Sequence, residues 1–244
     1  MELIEAAWIV GSGAATAIGG ISLLFFTKPS ELLLDALLGF TSGVMLAASS
    51  FSLLVPAVEL GGTAEVVAGI AAGGALFAAL DAAIPHAHAR FSEHGHPASR
   101  RAALLLSALT IHNIPEGMAV GVSFAAGGLE LGIPIALAIG IQNIPEGFAA
   151  GAPLLTVPGK RKRAAAIAAA TGAVEPPAAF AAFAAFAAVR VLLPFALAFA
   201  AGAMLYVVAD ELIPESHTKG NERFATLALI VGFMLMLTLD NLFS

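Results

Sequence analysis

The 244-residue chain is 59% hydrophobic and 11% charged, has no cysteine and carries a net charge of −6. Soluble domains hold about 25% charged residues, so this composition excludes the soluble globular class and points to an all-α, polytopic membrane protein. The acidic balance argues against nucleic acid as a partner, and the missing thiols exclude disulfide frameworks and thiolate metal sites.

A helix that crosses a bilayer needs roughly 20 mostly apolar residues, and eight such runs follow one another. The first, at about 3–26, opens on "MELIEAAW", with acids where a secretory signal would be basic, and is expected to be a retained span. The second covers about 32–58 and contains "GVMLAASSFSLLVPAVE". The third, about 64–84, leads into a histidine-bearing stretch at 85–100, "PHAHARFSEHGHPASRR" as far as Arg101, which is expected to be a loop. The fourth and fifth, about 101–125 and 131–156, hold "IHNIPEG" at Ile111–Gly117 and "IQNIPEG" at Ile141–Gly147. The sixth, about 163–188, places Glu175 before Pro176 and Pro177. The seventh and eighth cover about 193–213 and 223–243. No connection is long enough for a soluble domain, so 1–244 is expected to be a single transmembrane domain.

Basic residues set the orientation of such a chain. Lys28, Arg90, Arg100, Arg101, Lys160, Arg161, Lys162, Arg163, Lys219 and Arg223 all follow odd-numbered spans, and only Arg190 falls on the other side. This places both termini outside and the 85–100 loop in the cytoplasm. The opposite face collects Glu2, Glu5, Glu59, Glu65, Glu130 and Asp240, which would raise the local concentration of cations.

The two heptads lie near mid-membrane in spans that run in opposite directions. His112 and Glu116 are four residues apart and share a helix face, as do Gln142 and Glu146. Asn113 and Asn143 border that face. Pro115 and Pro145 free the carbonyls of Ile111 and Ile141, which is tolerated at this depth only against protein or a polar cavity. An ionised side chain at the centre of a lone helix costs about 2.5–3.5 kcal/mol. No lysine or arginine lies at matching depth, so the missing partners are protons or a bound cation. Imidazole, carboxylate and carboxamide suit a hard-to-borderline divalent metal. Protonated kinks that merely glue helices together are the bland alternative. The pairing of "GVML" in the second span with "GAML" in the seventh adds a second sign of inverted symmetry, with helices 1–3 repeated as 6–8 around a central pair 4–5.

With "HNIPEG", "QNIPEG" and "VEPP" on successive helices, nearly the whole chain resembles the ZIP (Zrt-, Irt-like) family of divalent metal transporters, in its bacterial branch with a binuclear site. The resemblance implies import of zinc, with cadmium, iron or manganese as further substrates, and location in the cell membrane. It also implies a homodimer and an elevator movement of helices 1, 4, 5 and 6 against 2, 3, 7 and 8. Its first metal site corresponds to His112, Glu116, Gln142 and Glu146, with Met45 lending a thioether. Its second corresponds to Asn113, Glu116, Asn143, Glu146 and Glu175, the glutamates at 116 and 146 bridging. Some relatives have aspartate where this chain has Asn143, and a neutral amide binds a cation less strongly.

Outlying candidates are His86, His88, His94 and His96 in the loop, and Asp81, Asp210, Glu211, Glu215 and His217 near the inner ends of spans three and seven. They could line an exit route; solvation, capping and snorkelling explain them nearly as well. Met204 reads as core packing. Two other functions compete with metal transport. A membrane metalloenzyme lacks the His-Glu-x-x-His helix that zinc proteases use, and no Ser or Thr nucleophile pairs with His112, so an enzyme is not expected. A proton- or sodium-coupled organic solute transporter would also use intramembrane acids.

Overall fold

The computed structural model describes residues 1–26, 29–91, 97–156, 161–187 and 189–243, with side chains for these outside 84–91, 97–109, 153, 156 and 243. All regular structure among the described residues is helical. Helix α1 is Leu3–Ser22, opened by a capping box in which the Glu2 backbone N–H donates to Glu5 Oε2 at 2.6 Å. Helix α2 is Glu31–Ala47, capped by Ser30, whose hydroxyl accepts from the Leu33 N–H at 3.2 Å. It runs through a π-helical turn, Ala48–Leu54, into α3, Val55–Leu60. Then come α4, Thr63–Phe91, and α5, Pro97–Gly151. Helices α6, Arg161–Thr171, and α7, Glu175–Ala187, are joined by a 3-10 turn. Helix α8, Leu193–Val207, passes through a second π-helical turn, Val208–Leu212, into α9, Ile213–Ser216, and α10, Glu222–Phe243, closes the chain.

Seven of the described helical stretches are long and apolar enough to cross a membrane, so the protein is a multi-pass membrane protein. One stretch, Thr110–Gly151, is 42 residues long. It is not one rod. Gly127 and Gly128 leave the helical region, Gly128 at φ 56°, a conformation open to glycine at little cost. Gln142 then meets Glu116 although 26 residues separate them, a span of about 39 Å along a straight helix. The chain therefore doubles back at Gly127–Gly128, and α5 is a hairpin of two arms.

The stretch expected as a loop, 85–100, is helical as far as Phe91 and again from Pro97. Alanines at 87 and 89 favour continuation of the helix, and proline suits a first helical position.

Close packing of small residues holds the bundle together, as expected in lipid. A Cβ at Gly147 would overlap the Thr16 carbonyl on α1, and one at Gly117 the Glu175 carbonyl on α7, so α1 and α7 grip opposite arms of α5. Elsewhere a Cβ at Gly43 on α2 would strike the Leu229 carbonyl on α10, and at Gly202 on α8 the Ile70 carbonyl on α4. Gly232 and Gly73 make the reciprocal contacts, with the carbonyls of Phe40 and Phe199.

Candidate metal centre

Both arms of α5 carry their heptads into the interior. His112, Asn113, Glu116, Gln142, Asn143, Glu146 and Glu175 are each at most 2% exposed. Pro115 and Pro145 lie inside the helical arms, and each removes one backbone hydrogen bond where these side chains gather.

Gln142 Nε2 donates to Glu116 Oε1 at 2.6 Å. Asn143 Nδ2 donates to the Ser12 carbonyl at 2.9 Å and to Glu175 Oε1 and Oε2 at 2.9 and 2.8 Å. The Thr16 hydroxyl donates to Glu175 Oε1 at 3.2 Å. Glu146 and Glu175 lie within electrostatic reach of Glu116. Several buried atoms have no hydrogen-bond partner among the described residues: His112 Nδ1, both polar atoms of Asn113, Glu116 Oε2, Gln142 Oε1, Asn143 Oδ1 and both oxygens of Glu146. Leaving a buried polar group unpaired costs about 1–3 kcal/mol, more when charged. Such a concentration of buried polar atoms in one place can hold a ligand.

As they stand, no three His, Cys, Asp or Glu side chains among the described residues are arranged to hold a metal ion. Gln142 occupies one oxygen of Glu116 and Asn143 occupies Glu175, so a cation entering here would exchange places with an N–H donor.

Met45 is completely buried and belongs to the same apolar core as Met204, also completely buried. Among the outlying candidates the structure divides the acids. The His112 imidazole Nε2 meets the Glu211 carboxylate, so Glu211 belongs beside the heptads rather than further out. Asp81 and Asp210 lie in electrostatic reach of Glu211, and Tyr206 hydrogen-bonds to both. Glu215 and His217 turn elsewhere. Glu215 pairs with Lys219 at 3.3 Å, and His217 bonds to Ser216, the Ile213 carbonyl and Thr226. The side chains of His86, His88, His94 and His96 lie outside the described residues.

Sequence reasoning missed Ser12, Thr16 and Tyr206. Thr16 sits in a Gly/Ala-rich run with no acid or amide near it in sequence, and nothing local marks a hydroxyl that finds its partner 159 residues away. Tyr206 could have been noticed as the one tyrosine in the chain.

Comparison with known proteins gives a consistent picture. Residues 80–240 match a family model described as "ZIP Zinc transporter". The zinc transporter GufA of Myxococcus xanthus is 42% identical over 240 residues, covering 94% of each chain. The zinc transporter ZIPB of Bordetella bronchiseptica is 42% identical over 239 residues, covering 93% of this chain and 77% of its own. The zinc transporter ZupT of Escherichia coli is 34% identical over 241 residues, covering 93% of each.

Proposed function

This chain belongs to the ZIP zinc transporter family, and on that premise we propose that it imports zinc through the buried heptad cluster, as a transporter and not an enzyme. The observation that carries the reading is the set of unpartnered polar atoms contributed by both arms of α5. Two ions fit the donor set. The first would take His112, Glu116, Gln142 and Glu146, with Met45 adjacent. The second would take Asn113, Asn143, Glu116 and Glu146, completed by Glu175. The shared glutamates bridge the ions. Zinc accepts imidazole nitrogen and carboxylate oxygen readily; cadmium, iron and manganese are the other substrates proposed.

The two arms of α5 support a reading of eight crossings. An inverted repeat is supported by the glycine contacts: the steps from 43 to 202, 70 to 229, 40 to 199 and 73 to 232 are all 159 residues, and the same step joins Thr16 to Glu175. Each half also bears a π-helical turn shortly after its Gly-x-Met-Leu and before a proline, Pro56 or Pro214.

The elevator reading is supported by packing. Helices α1 and α7 pack mainly on α5 and α6 mainly on α1, whereas α2 packs mainly on α10 and α4 on α8; α2 and α8 also touch α5, where a moving group would slide against its frame. Orientation is supported by contacts that gather the basic loops at one end: Arg161 reaches the Leu24 carbonyl at 3.4 Å, and Lys219 reaches Glu31 at 3.4 Å. That end would face the cytoplasm, with both termini outside the cell membrane. The homodimer implied by the family resemblance completes the reading.

The deciding experiment is zinc flux into proteoliposomes alongside equilibrium zinc binding to the purified protein. Saturable flux and binding, both lost in His112→Ala, are the expected result. Flux that survives His112→Ala at the wild-type rate would place the pathway elsewhere.

A further inference from the structure

We propose that the hydroxyls of Ser49 and Ser123 line the approach by which the ion reaches the heptad cluster, each standing in for a water of its shell on the way. The inference rests on the zinc-import reading above and adds two residues that the reading leaves unused.

A serine hydroxyl inside a helix can turn back onto a carbonyl three or four residues earlier. Ser12 does so to Ile9 at 3.0 Å, and Ser42 and Ser50 to Leu38 and Leu46 at 2.8 Å. Ser49 and Ser123 do not. Both are completely buried, and neither hydroxyl has a hydrogen-bond partner among the described residues. Outside the heptads, one other buried side-chain atom among the described residues shares that state, the Asp35 oxygen that faces Lys219 at 3.7 Å. An unsatisfied buried hydroxyl is costly, and one that persists calls for a reason.

Position supplies the reason. Ser123 follows Glu116 by seven residues, two turns along the same face of the first arm of α5. Ser49 follows Met45 by four residues, one turn along α2, and lies in the π-helical turn Ala48–Leu54. Along the helix axes Ser123 stands about 10 Å beyond Glu116, and Ser49 about 6 Å beyond Met45. Both displacements run toward the end of the bundle that carries Gly61 and the Gly127–Gly128 reversal, which the import reading makes external. The two orphaned hydroxyls therefore lie on the entry side of the proposed ligands.

Hydroxyls suit an approach better than a resting place. A passage needs partners favourable enough to admit an ion and weak enough to release it. A neutral hydroxyl oxygen attracts a cation less strongly than the ionised carboxylates ahead of it. An ion that exchanges a water for Ser123 or Ser49 is drawn onward to Glu116 and His112.

The test uses the full-length chain, which has no cysteine. Ser49→Cys and Ser123→Cys are exposed one at a time, on intact cells, to a small cationic thiosulfonate. Both should react, more slowly with zinc present, and modification should block zinc uptake. Ser42→Cys is the control: Ser42 is just as buried, but its hydroxyl is turned onto its own helix, and it should not react. In parallel, Ser49→Ala and Ser123→Ala each delete an unsatisfied hydroxyl, so thermal stability should be no lower than wild type. Zinc uptake at limiting zinc should nevertheless fall about fivefold in each, while equilibrium zinc affinity stays within about twofold. Should a cysteine variant fail to insert, the alanine variant at that position decides. A cysteine at 49 or 123 that stays unreacted, or reacts no faster than Ser42→Cys, overturns the proposal. Uptake at the wild-type rate in either alanine variant overturns it as well. Wild-type protein that carries no zinc would instead sink the import reading on which the proposal stands.

Discussion

Where α2 begins, Asp35 is completely buried beside Lys219, whose ammonium lies 3.7 Å away and also pairs with Glu31 and Glu215 at 3.4 and 3.3 Å. Asn221 donates to the other Asp35 oxygen at 2.9 Å. In the heptad cluster, Glu116 and Glu146 are buried as deeply, but no lysine or arginine pairs with them among the described residues. The same chemical problem is solved internally in one place and left open in the other. A tethered cation makes the Asp35 region a structural joint between α2, α9 and α10. On the proposed reading the heptads leave that position to a mobile cation.

The largest effect expected is at the open cluster. Glu116→Ala or Glu146→Ala should lower zinc uptake by at least about 100-fold at matched protein level, since each would serve both proposed ion positions and a lost buried ligand costs several kcal/mol. Asn143→Ala should be milder, as it removes a neutral ligand from one position. Uptake in proteoliposomes decides, and near wild-type transport by correctly inserted Glu116→Ala would break the contrast between the two regions.

Protons sharpen the contrast further. On the proposed reading zinc takes its imidazole and carboxylate ligands in their deprotonated forms, so affinity should fall as the solution is acidified. Lys219 behaves oppositely. Burial pulls its ammonium toward lower pKa, but Glu215, Glu31 and Asp35 outweigh this and hold it above its ordinary value of 10.5. A group raised in the folded state stabilises fully below its unfolded pKa and loses that contribution only as pH rises through the folded one. The Lys219 joint should therefore be unaffected between mildly acidic and neutral pH, where zinc affinity changes, and weaken only above about 10.5. Calorimetric zinc titration and thermal unfolding across that range report the two separately.

Lys219→Met should cost about 3 kcal/mol of stability by leaving Asp35 buried without its cation, while zinc affinity changes little. Thermal unfolding checks the first half and equilibrium binding the second. A variant as stable as wild type would show that Asn221 alone satisfies Asp35.

These two regions also show what the sequence could reveal. The heptads were legible because identical polar groups recur inside apolar runs at helical spacing, and the reversal fell between the expected spans 101–125 and 131–156, at Gly127–Gly128. The Lys219 joint was not legible. Some of its partners lie 186 residues apart, as Asn221 and Asp35 do, and a lone lysine in a polar loop looks like any solvated charge. The same holds for Ser12 and Thr16, whose neighbours in sequence are small and apolar. The π-helical turns depend on backbone hydrogen bonding that no side-chain pattern announced, although each precedes a proline. Glu211 was read as an outlying acid from its place near the end of a span. In the structure it touches His112, because the turn at Val208–Leu212 redirects that face of the helix.

The smallest perturbation tests which way the joint and the cluster face. If the basic loops mark the cytoplasm, the Lys219 end is inside and the turn at Gly127–Gly128 is outside, together with the turn at Gly61 that packs on Pro194. The chain has no cysteine, so single cysteines at exposed positions make a clean report. Gly62 has open space around its Cα and Leu129 is 39% exposed, at one end; Lys162 and Thr218 are exposed at the other. None of the four touches the heptads, so uptake should be unchanged in each variant. On intact cells a membrane-impermeant thiol reagent should label Gly62→Cys and Leu129→Cys, and should reach Lys162→Cys and Thr218→Cys only after the membrane is opened. With that orientation the acidic face meets the external ion, and flow through the cluster toward the Lys219 end is import. Labelling of Thr218→Cys from outside would place the joint at the cell exterior and remove the basis for reading the pathway as import.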